Sequence, residues 1–164
     1  MQDVAIVNAD QTSHRLGYRA QDAEVTVAEA LEQYFRSIPN LLDVDELGDG
    51  ARDLFTKHDI AHVVFGCDTS LRQEIMMDVW TVFGTDVGLL AYARYLKTPE
   101  AQNLLAEIGY VRAIGAFVRT LPDIARVIVH ARRMKKKWPW ASHAAYMGRP
   151  LRDVRRELGL EIVP

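Results

Sequence analysis

A short stretch of the chain holds four residues whose types and spacing suit a metal ion. His58 and His62 stand four positions apart, Asp59 follows His58 directly, and eleven residues separate His62 from Glu74. On a helix, side chains four positions apart lie on one face, and Asp59 falls within the same arc. Two imidazole nitrogens with carboxylate oxygens are ligands for zinc, and also for Fe, Mn or Co. The spacing therefore predicts a divalent metal site at these four residues, with zinc as the first candidate.

Two other interpretations of this pattern stay open. The four side chains could form a buried polar network without a metal, although burying so many titratable groups without a cation is costly. They could also belong to a metallohydrolase, since H-D-x-x-H differs from the metalloprotease motif H-E-x-x-H by one methylene. The shorter Asp disfavours a protease, because that motif needs its Glu to reach the metal-bound water.

The helix that carries the two histidines is predicted to end just after them. It begins at about Asp45 or Gly50 and runs to Phe65. Gly66 follows, and glycine is a typical residue at the C-terminal end of a helix. Residues 67–69 are then expected to form a short loop.

The next helix is predicted to bring the fourth ligand to the site. Ser70 is a suitable N-cap, with Gln73 three positions later to complete a capping box, and the helical pattern continues to about Lys97. Glu74 then lies in the first turn of this helix. Because the loop is short, that turn is expected to face the end of the preceding helix, near His62.

The rest of the chain has mostly helical apolar spacing. Further helices are predicted at residues 27–37, from residue 99, from residue 122 to about 137, and from about residue 150 to 159, with short extended pieces at 5–7 and 24–27. The sequence therefore predicts an all-α, single-domain, multi-helix fold with long antiparallel helices. Residues 1–44 form an N-terminal segment with one short helix, and residues 45–164 form the metal-binding helical domain.

Composition limits the class of protein. A chain of 164 residues with 49% hydrophobic residues is long enough to bury an ordinary globular core. Its single cysteine excludes an intrachain disulfide. We find no signal peptide and no uncharged apolar run of about 18 residues, and therefore expect a soluble or peripheral protein.

Charge is distributed unevenly along the chain. Residues 1–50 hold ten acids and three bases, whereas residues 112–156 hold twelve bases and two acids. The segment from Arg126 to Trp140 has six bases, no acid and two tryptophans. This pattern favours contact with an anionic membrane surface, although a basic run is also typical of a solvated helix end. No nucleic-acid-binding module is recognisable, so no nucleic-acid partner is expected.

Two motifs resemble those of one known family. The first is H-D-x-x-H at residues 58–62, with Gly66 four positions later and Glu74 after eleven intervening residues. The second is P-L-R-D-V-R-R-E-L-G-L at residues 150–160, which is similar to a closing P-L-x-x-V-R-x-E-L-G-[IL]. Together they resemble the coenzyme Q (ubiquinone) biosynthesis protein 4 family over residues 45–162. Family members usually have a longer N-terminal helical region than this chain.

The resemblance implies a function at the membrane. It implies a divalent metal, usually zinc, held by His58, Asp59, His62 and Glu74, with His58 and Asp59 in catalytic roles. It implies C1 decarboxylation of a polyprenyl-hydroxybenzoate, with oxidation of that carbon, or alternatively a non-catalytic lipid-binding scaffold. The implied partners are a polyprenylated aromatic lipid and other quinone-biosynthesis enzymes, and a homo-oligomer is left open. The implied location is cytoplasmic, at the inner face of the bacterial membrane.

Overall fold

The computed structural model describes residues 16–38, 49–89, 92–93 and 109–164. Five α-helices have both ends within these ranges: α1 (Val27–Ser37), α2 (Asp49–Phe65), α3 (Leu71–Gly84), α4 (Tyr110–Arg133) and α5 (Leu151–Leu158). Short 3-10 turns lie at Gly17–Arg19 and His143–Tyr146. There is no β-strand among the described residues. The predicted all-α fold is therefore confirmed.

Helix α1 begins at a complete capping box. The Thr26 hydroxyl accepts from the Glu29 backbone N–H, and the Glu29 carboxylate accepts from the Thr26 backbone N–H. The predicted bounds of this helix are confirmed. The extended piece predicted at 24–27 is wrong at its end, because Val27 already belongs to the helix and Thr26 forms only an isolated bridge to Pro150. The piece predicted at 5–7 lies outside the described residues.

The turn between α2 and α3 follows the local signals in the sequence. Gly66 has a φ of +73°, which favours glycine, and it ends α2 as predicted. The Ser70 hydroxyl accepts from the Gln73 backbone N–H, so Ser70 is the N-cap of α3. The reciprocal half of the predicted capping box is absent, since the Gln73 side-chain amide is buried without a hydrogen-bond partner among the described residues.

Helix α3 ends at Gly84, and the prediction that it continues to about Lys97 is wrong. A Cβ at Gly84 would lie 2.8 Å from the Trp80 ring and 3.0 Å from the Phe65 ring, so close packing requires glycine here. The Gly84 carbonyl accepts from the Trp138 backbone N–H. A tertiary contact, which apolar periodicity does not report, therefore ends this helix.

Helix α4 is one continuous element. It runs through Pro122 and ends at Arg133, so the separate helix predicted from residue 122 to about 137 is wrong. The predicted start of a helix at residue 99 lies outside the described residues. After α4, Trp138 is fully buried and Trp140 is 7% exposed. These two tryptophans belong to the core, so the expectation that they contact a membrane is wrong.

The described helices share one hydrophobic core. Helix α3 packs against α4, α1 packs against α2, and α2 contacts α3 and α5. The segment before α5 is joined to the start of α1 by backbone hydrogen bonds, such as Leu151 N–H to the Val25 carbonyl at 2.9 Å. None of the helices in the described part of the chain has the length and apolar character needed to cross a bilayer.

Candidate metal centre

Three side chains converge where α2 meets the first turn of α3. The rings of His58 and His62, one turn apart on α2, have centroids 4.6 Å apart in an edge-to-face arrangement. Glu74 reaches them from α3, with its Oε2 atom 3.4 Å from His62 Nε2. One ligand atom from each of the three residues lies within 4.8 Å of the others. The predicted meeting of Glu74 with the histidines is therefore present.

His62 is the most deeply buried member of this group. Its side chain has no exposed surface, and neither ring nitrogen has a hydrogen-bond partner among the described residues. Burial is the largest single influence and would lower the pKa of His62, but the Glu74 carboxylate, together with Asp59, outweighs it and leaves the pKa raised. A buried imidazole without hydrogen bonds carries a full desolvation penalty. Coordination of a cation would satisfy it, so the residues present fit a metal.

The other two members have ionisation states that suit a ligand. Burial, assisted by the neighbouring His62, lowers the pKa of His58 to about 4. His58 is therefore neutral at pH 7, with a nitrogen lone pair available for coordination. Burial by itself would raise the pKa of Glu74, but the two histidines lower it overall. Glu74 is therefore ionised at pH 7.

Asp59 lies beside the three-residue group rather than within it. Its Oδ1 atom accepts a hydrogen bond of 3.3 Å from the Tyr34 hydroxyl on α1. Burial raises the pKa of Asp59 to about 6, although the nearby His62 partly opposes that shift. This placement fits a carboxylate that acts next to a metal, as either a further ligand or a base.

Three functional candidates were not found by sequence reasoning. The Tyr34 ring stacks on His62 with centroids 5.3 Å apart, although 28 positions separate the two in the chain. Asp78, one turn after Glu74 on α3, accepts a hydrogen bond from the Tyr92 hydroxyl. Burial raises the pKa of Asp78 to about 6, and Glu74 adds to that shift while Tyr92 opposes it. The i, i+4 spacing of Glu74 and Asp78 was the only available sequence signal for any of them.

Cys67 lies next to this site, but its thiol is not suited to bind a metal. Its thiol is fully buried, and burial strongly raises its pKa. Its backbone N–H bonds to the His62 carbonyl, and its own carbonyl accepts from the Tyr18 hydroxyl. The residue therefore secures the end of α2 through its backbone, while the protonated thiol is a poor metal ligand.

Comparison with known proteins identifies no relative. No family model, no curated protein and no solved structure matches the chain. Membership of the coenzyme Q biosynthesis protein 4 family therefore stays a prediction that depends on the motifs at residues 58–74 and 150–160.

Proposed function

We propose that this protein binds one divalent metal ion, first of all zinc, through His58, His62 and Glu74, with Asp59 as a neighbouring carboxylate. The observation that carries the proposal is the complete burial of His62 with neither ring nitrogen in a hydrogen bond among the described residues, while the Glu74 carboxylate lies 3.4 Å from Nε2. Such an arrangement is unfavourable in a purely structural network. It becomes favourable when a cation takes the place of the missing hydrogen bonds.

We further propose that the metal serves C1 decarboxylation of a polyprenyl-hydroxybenzoate in ubiquinone synthesis. When bound, the cation would act as a Lewis acid towards a phenolate or carboxylate oxygen of the aromatic ring. Asp59 would exchange a proton with the substrate, since its carboxyl group, with a pKa of about 6, holds and releases protons near neutral pH. The hydrogen bond from Tyr34 orients that carboxyl group. The motif resemblance supplies the substrate class.

An exposed apolar face supports a membrane location for this function. On α4, four large apolar side chains follow helical spacing and are 46% to 63% exposed: Ile114, Phe117, Val118 and Leu121. We call this set the α4 stripe. Arg112 and Arg119, both exposed, lie on the same helix. At 100° per residue these two bases lie on the side of the helix opposite the α4 stripe, and an apolar face with bases on the polar face is typical of a helix that lies in the plane of an anionic membrane.

Turnover by purified protein tests the decarboxylase proposal. Zinc-loaded wild-type protein is expected to release labelled carbon dioxide from a carboxyl-labelled prenyl-hydroxybenzoate in vesicles, with oxygen present to accept electrons in the oxidative form. His62→Ala and Asp59→Asn are expected to lose this activity. His143→Ala is the matched histidine control, since the only hydrogen bond of the His143 ring within the described residues joins it to the Trp140 carbonyl at 3.1 Å.

A non-catalytic scaffold is the alternative outcome of the same experiment. If metal-loaded protein binds the lipid substrate tightly but releases no labelled carbon dioxide under any metal or oxidant, the catalytic proposal is overturned. Vesicle flotation tests membrane binding independently of the catalytic and scaffold proposals. Phe117→Ser with Leu121→Ser is expected to weaken binding to anionic vesicles about tenfold, whereas Leu89→Ser, at a residue that is 66% exposed outside the stripe, is expected to leave it unchanged.

A further inference from the structure

A pocket lies where the end of α4 meets the end of α5. Its volume is about 300 Å³, which is within the range of small-ligand sites. The ionisable residues that line it are His130, Arg133, Lys135, Arg155, Arg156 and Glu161. None of the candidate metal ligands lines it, so this pocket is separate from the metal centre.

The charge of the lining is strongly positive. Arg133 and Lys135 are exposed and have no acidic partner among the described residues. The only acidic partner of Arg156 in the described part of the chain is Asp153, at 3.3 Å, and the Arg156 side chain is 76% exposed. The single acid, Glu161, is 72% exposed and lies 3.4 Å from the His130 ring. At least three guanidinium or ammonium groups therefore face the pocket or its entrance with little local compensation.

The ends of the two helices do not account for these bases. Cations often stabilise the last carbonyls of a helix. Here, however, the Leu158 carbonyl accepts from the Lys135 backbone N–H at 2.8 Å, and the Arg155 carbonyl accepts from the Leu160 backbone N–H at 2.8 Å. On α4, it is Lys137 that binds the Ala131 carbonyl, at 3.0 Å. The side chains of Arg133 and Lys135 are thus available for another partner.

The backbone at one wall of the pocket is closely packed. Gly159 has a φ of +63°, and a Cβ there would lie 3.1 Å from the Lys135 backbone nitrogen and 2.9 Å from its Cγ atom. The turn after α5 therefore packs directly on the segment that carries Lys135. A site whose walls are already fixed loses less conformational entropy when a ligand binds.

We propose that this pocket binds a phosphate-bearing ligand, either a soluble phosphoester or diphosphate or the head group of a phospholipid. Arginine recognises phosphate oxygens through paired N–H donors, and lysine adds a compact charge. Arg133, Lys135 and Arg156 are the binding residues, and His130 lies at the same wall. Arg155 shapes the base of the pocket but does not bind the ligand, because its donors already serve backbone carbonyls.

Calorimetric titration of metal-free protein with inorganic pyrophosphate tests the soluble form of this proposal. The wild type is expected to bind it, and Arg133→Glu with Lys135→Glu is expected to weaken binding at least tenfold. The control is Arg126→Glu with Arg132→Glu, which makes the same change in net charge at exposed residues of α4 outside both the pocket and the α4 stripe. His62→Leu is expected to bind pyrophosphate as the wild type does, which separates this site from the metal centre.

Flotation with vesicles of phosphatidylcholine, with or without phosphatidic acid, tests the lipid form. Phosphatidic-acid-dependent binding that is lost in the pocket variant but kept in the control supports a head-group ligand, even if free pyrophosphate does not bind. The proposal is overturned if the wild type binds neither probe. It is equally overturned if the pocket and control variants lose the same amount of binding, since net charge alone would then explain the effect.

Discussion

His62 and Arg155 are both fully buried polar side chains, but they differ in how many hydrogen bonds they make. Arg155, on α5, donates to the carbonyls of Tyr18, Val63 and Val64, and also to that of Ala20. The ring nitrogens of His62, on α2, make no hydrogen bond within the described residues, although the Glu74 carboxylate lies 3.4 Å from Nε2. The Arg155 side chain is thus hydrogen-bonded within the protein, whereas the His62 ring has no hydrogen bond among the described residues.

The hydrogen bonds of Arg155 indicate a structural role, whereas their absence at His62 fits the proposed role as a metal ligand. Burial lowers the pKa of Arg155 to about 10, so it remains charged at pH 7 and its charge is neutralised by carbonyl dipoles. Arg155 thereby fixes the end of α2 and the 3-10 turn at Gly17–Arg19. His62, one residue before the carbonyls that Arg155 binds, makes no hydrogen bond within the described residues and faces the Glu74 carboxylate. The hydrogen bonds of Arg155 and the candidate metal centre therefore lie side by side at the end of α2.

The largest expected effect is that of Arg155→Ala. It removes the donors of four carbonyls, three of them in buried hydrogen bonds, and should lower the free energy of unfolding by about 4 kcal/mol or more. Urea unfolding followed by circular dichroism measures this change. Arg156→Ala, at a neighbouring exposed residue, should change it by less than about 0.5 kcal/mol. Equal stability of the two variants would refute the structural role of Arg155.

The next expected effect is an increase in the free energy of unfolding of the metal-free protein. Replacing His62 by Leu together with Glu74 by Met keeps similar volumes and removes both the ring nitrogens without hydrogen bonds and the carboxylate that faces them, so the metal-free protein should become more stable by about 1 kcal/mol. The same variant should no longer be stabilised by added zinc. Thermal unfolding with and without zinc measures both effects. A clear loss of stability in the metal-free variant would show that His62 has partners that support the fold.

Metal affinity should depend on Tyr34 although it is not a ligand. Tyr34→Phe removes the hydroxyl that orients Asp59 but keeps the ring stacked on His62. We expect zinc affinity to fall about tenfold, as for other residues that support a metal site indirectly, with little change in stability. Competition with a chromophoric chelator measures the affinity. Tyr146→Phe, whose hydroxyl contacts Lys136 and Glu157, should have unchanged zinc affinity.

The smallest effect is a pH dependence of metal-free protein at Asp59. Its pKa is raised to about 6 from an ordinary 3.8, so its stabilising proton uptake is fully present below about pH 4 and is lost as pH rises through about 6. Asp59→Asn should therefore stabilise the metal-free protein by about 1 kcal/mol more at pH 8 than at pH 4, which is less than the roughly 3 kcal/mol of a fully buried carboxyl group because Asp59 is partly exposed. Urea unfolding at the two pH values measures this difference. A pH-independent effect would contradict the inferred burial of this carboxyl group.

Local signals in the sequence predicted one part of the molecule well. Gly66 and Ser70 mark the ends of α2 and α3 through backbone conformation and capping, which depend on neighbouring residues alone. That local geometry was sufficient to bring Glu74 next to His62. Contacts between distant segments were beyond the reach of such signals. The end of α3 at Gly84 depends on Trp138, and the burial of Trp138 itself depends on packing between elements far apart in the chain.

The same limit applies to the site. The contact between Tyr34 and Asp59 joins α1 to α2 across 25 positions, and neither residue type predicts this contact. Similarly, the Arg155 side chain reaches carbonyls more than 90 positions earlier. The P-L-x-x-V-R-x-E-L-G pattern at residues 150–159 indicated that this region matters. The role of its arginine became evident only from the hydrogen bonds it makes.

Zinc titration of metal-free protein tests the central claim most directly. Isothermal titration calorimetry should give one zinc ion per chain for the wild type and for the control His143→Ala. His62→Ala and Glu74→Gln should each bind zinc at least about a hundredfold more weakly, since loss of even an indirect supporting residue can weaken a metal site tenfold to a hundredfold. Absence of stoichiometric zinc, iron, manganese or cobalt binding by the wild type would contradict the claim. Undiminished affinity in both His62→Ala and Glu74→Gln would contradict it as well.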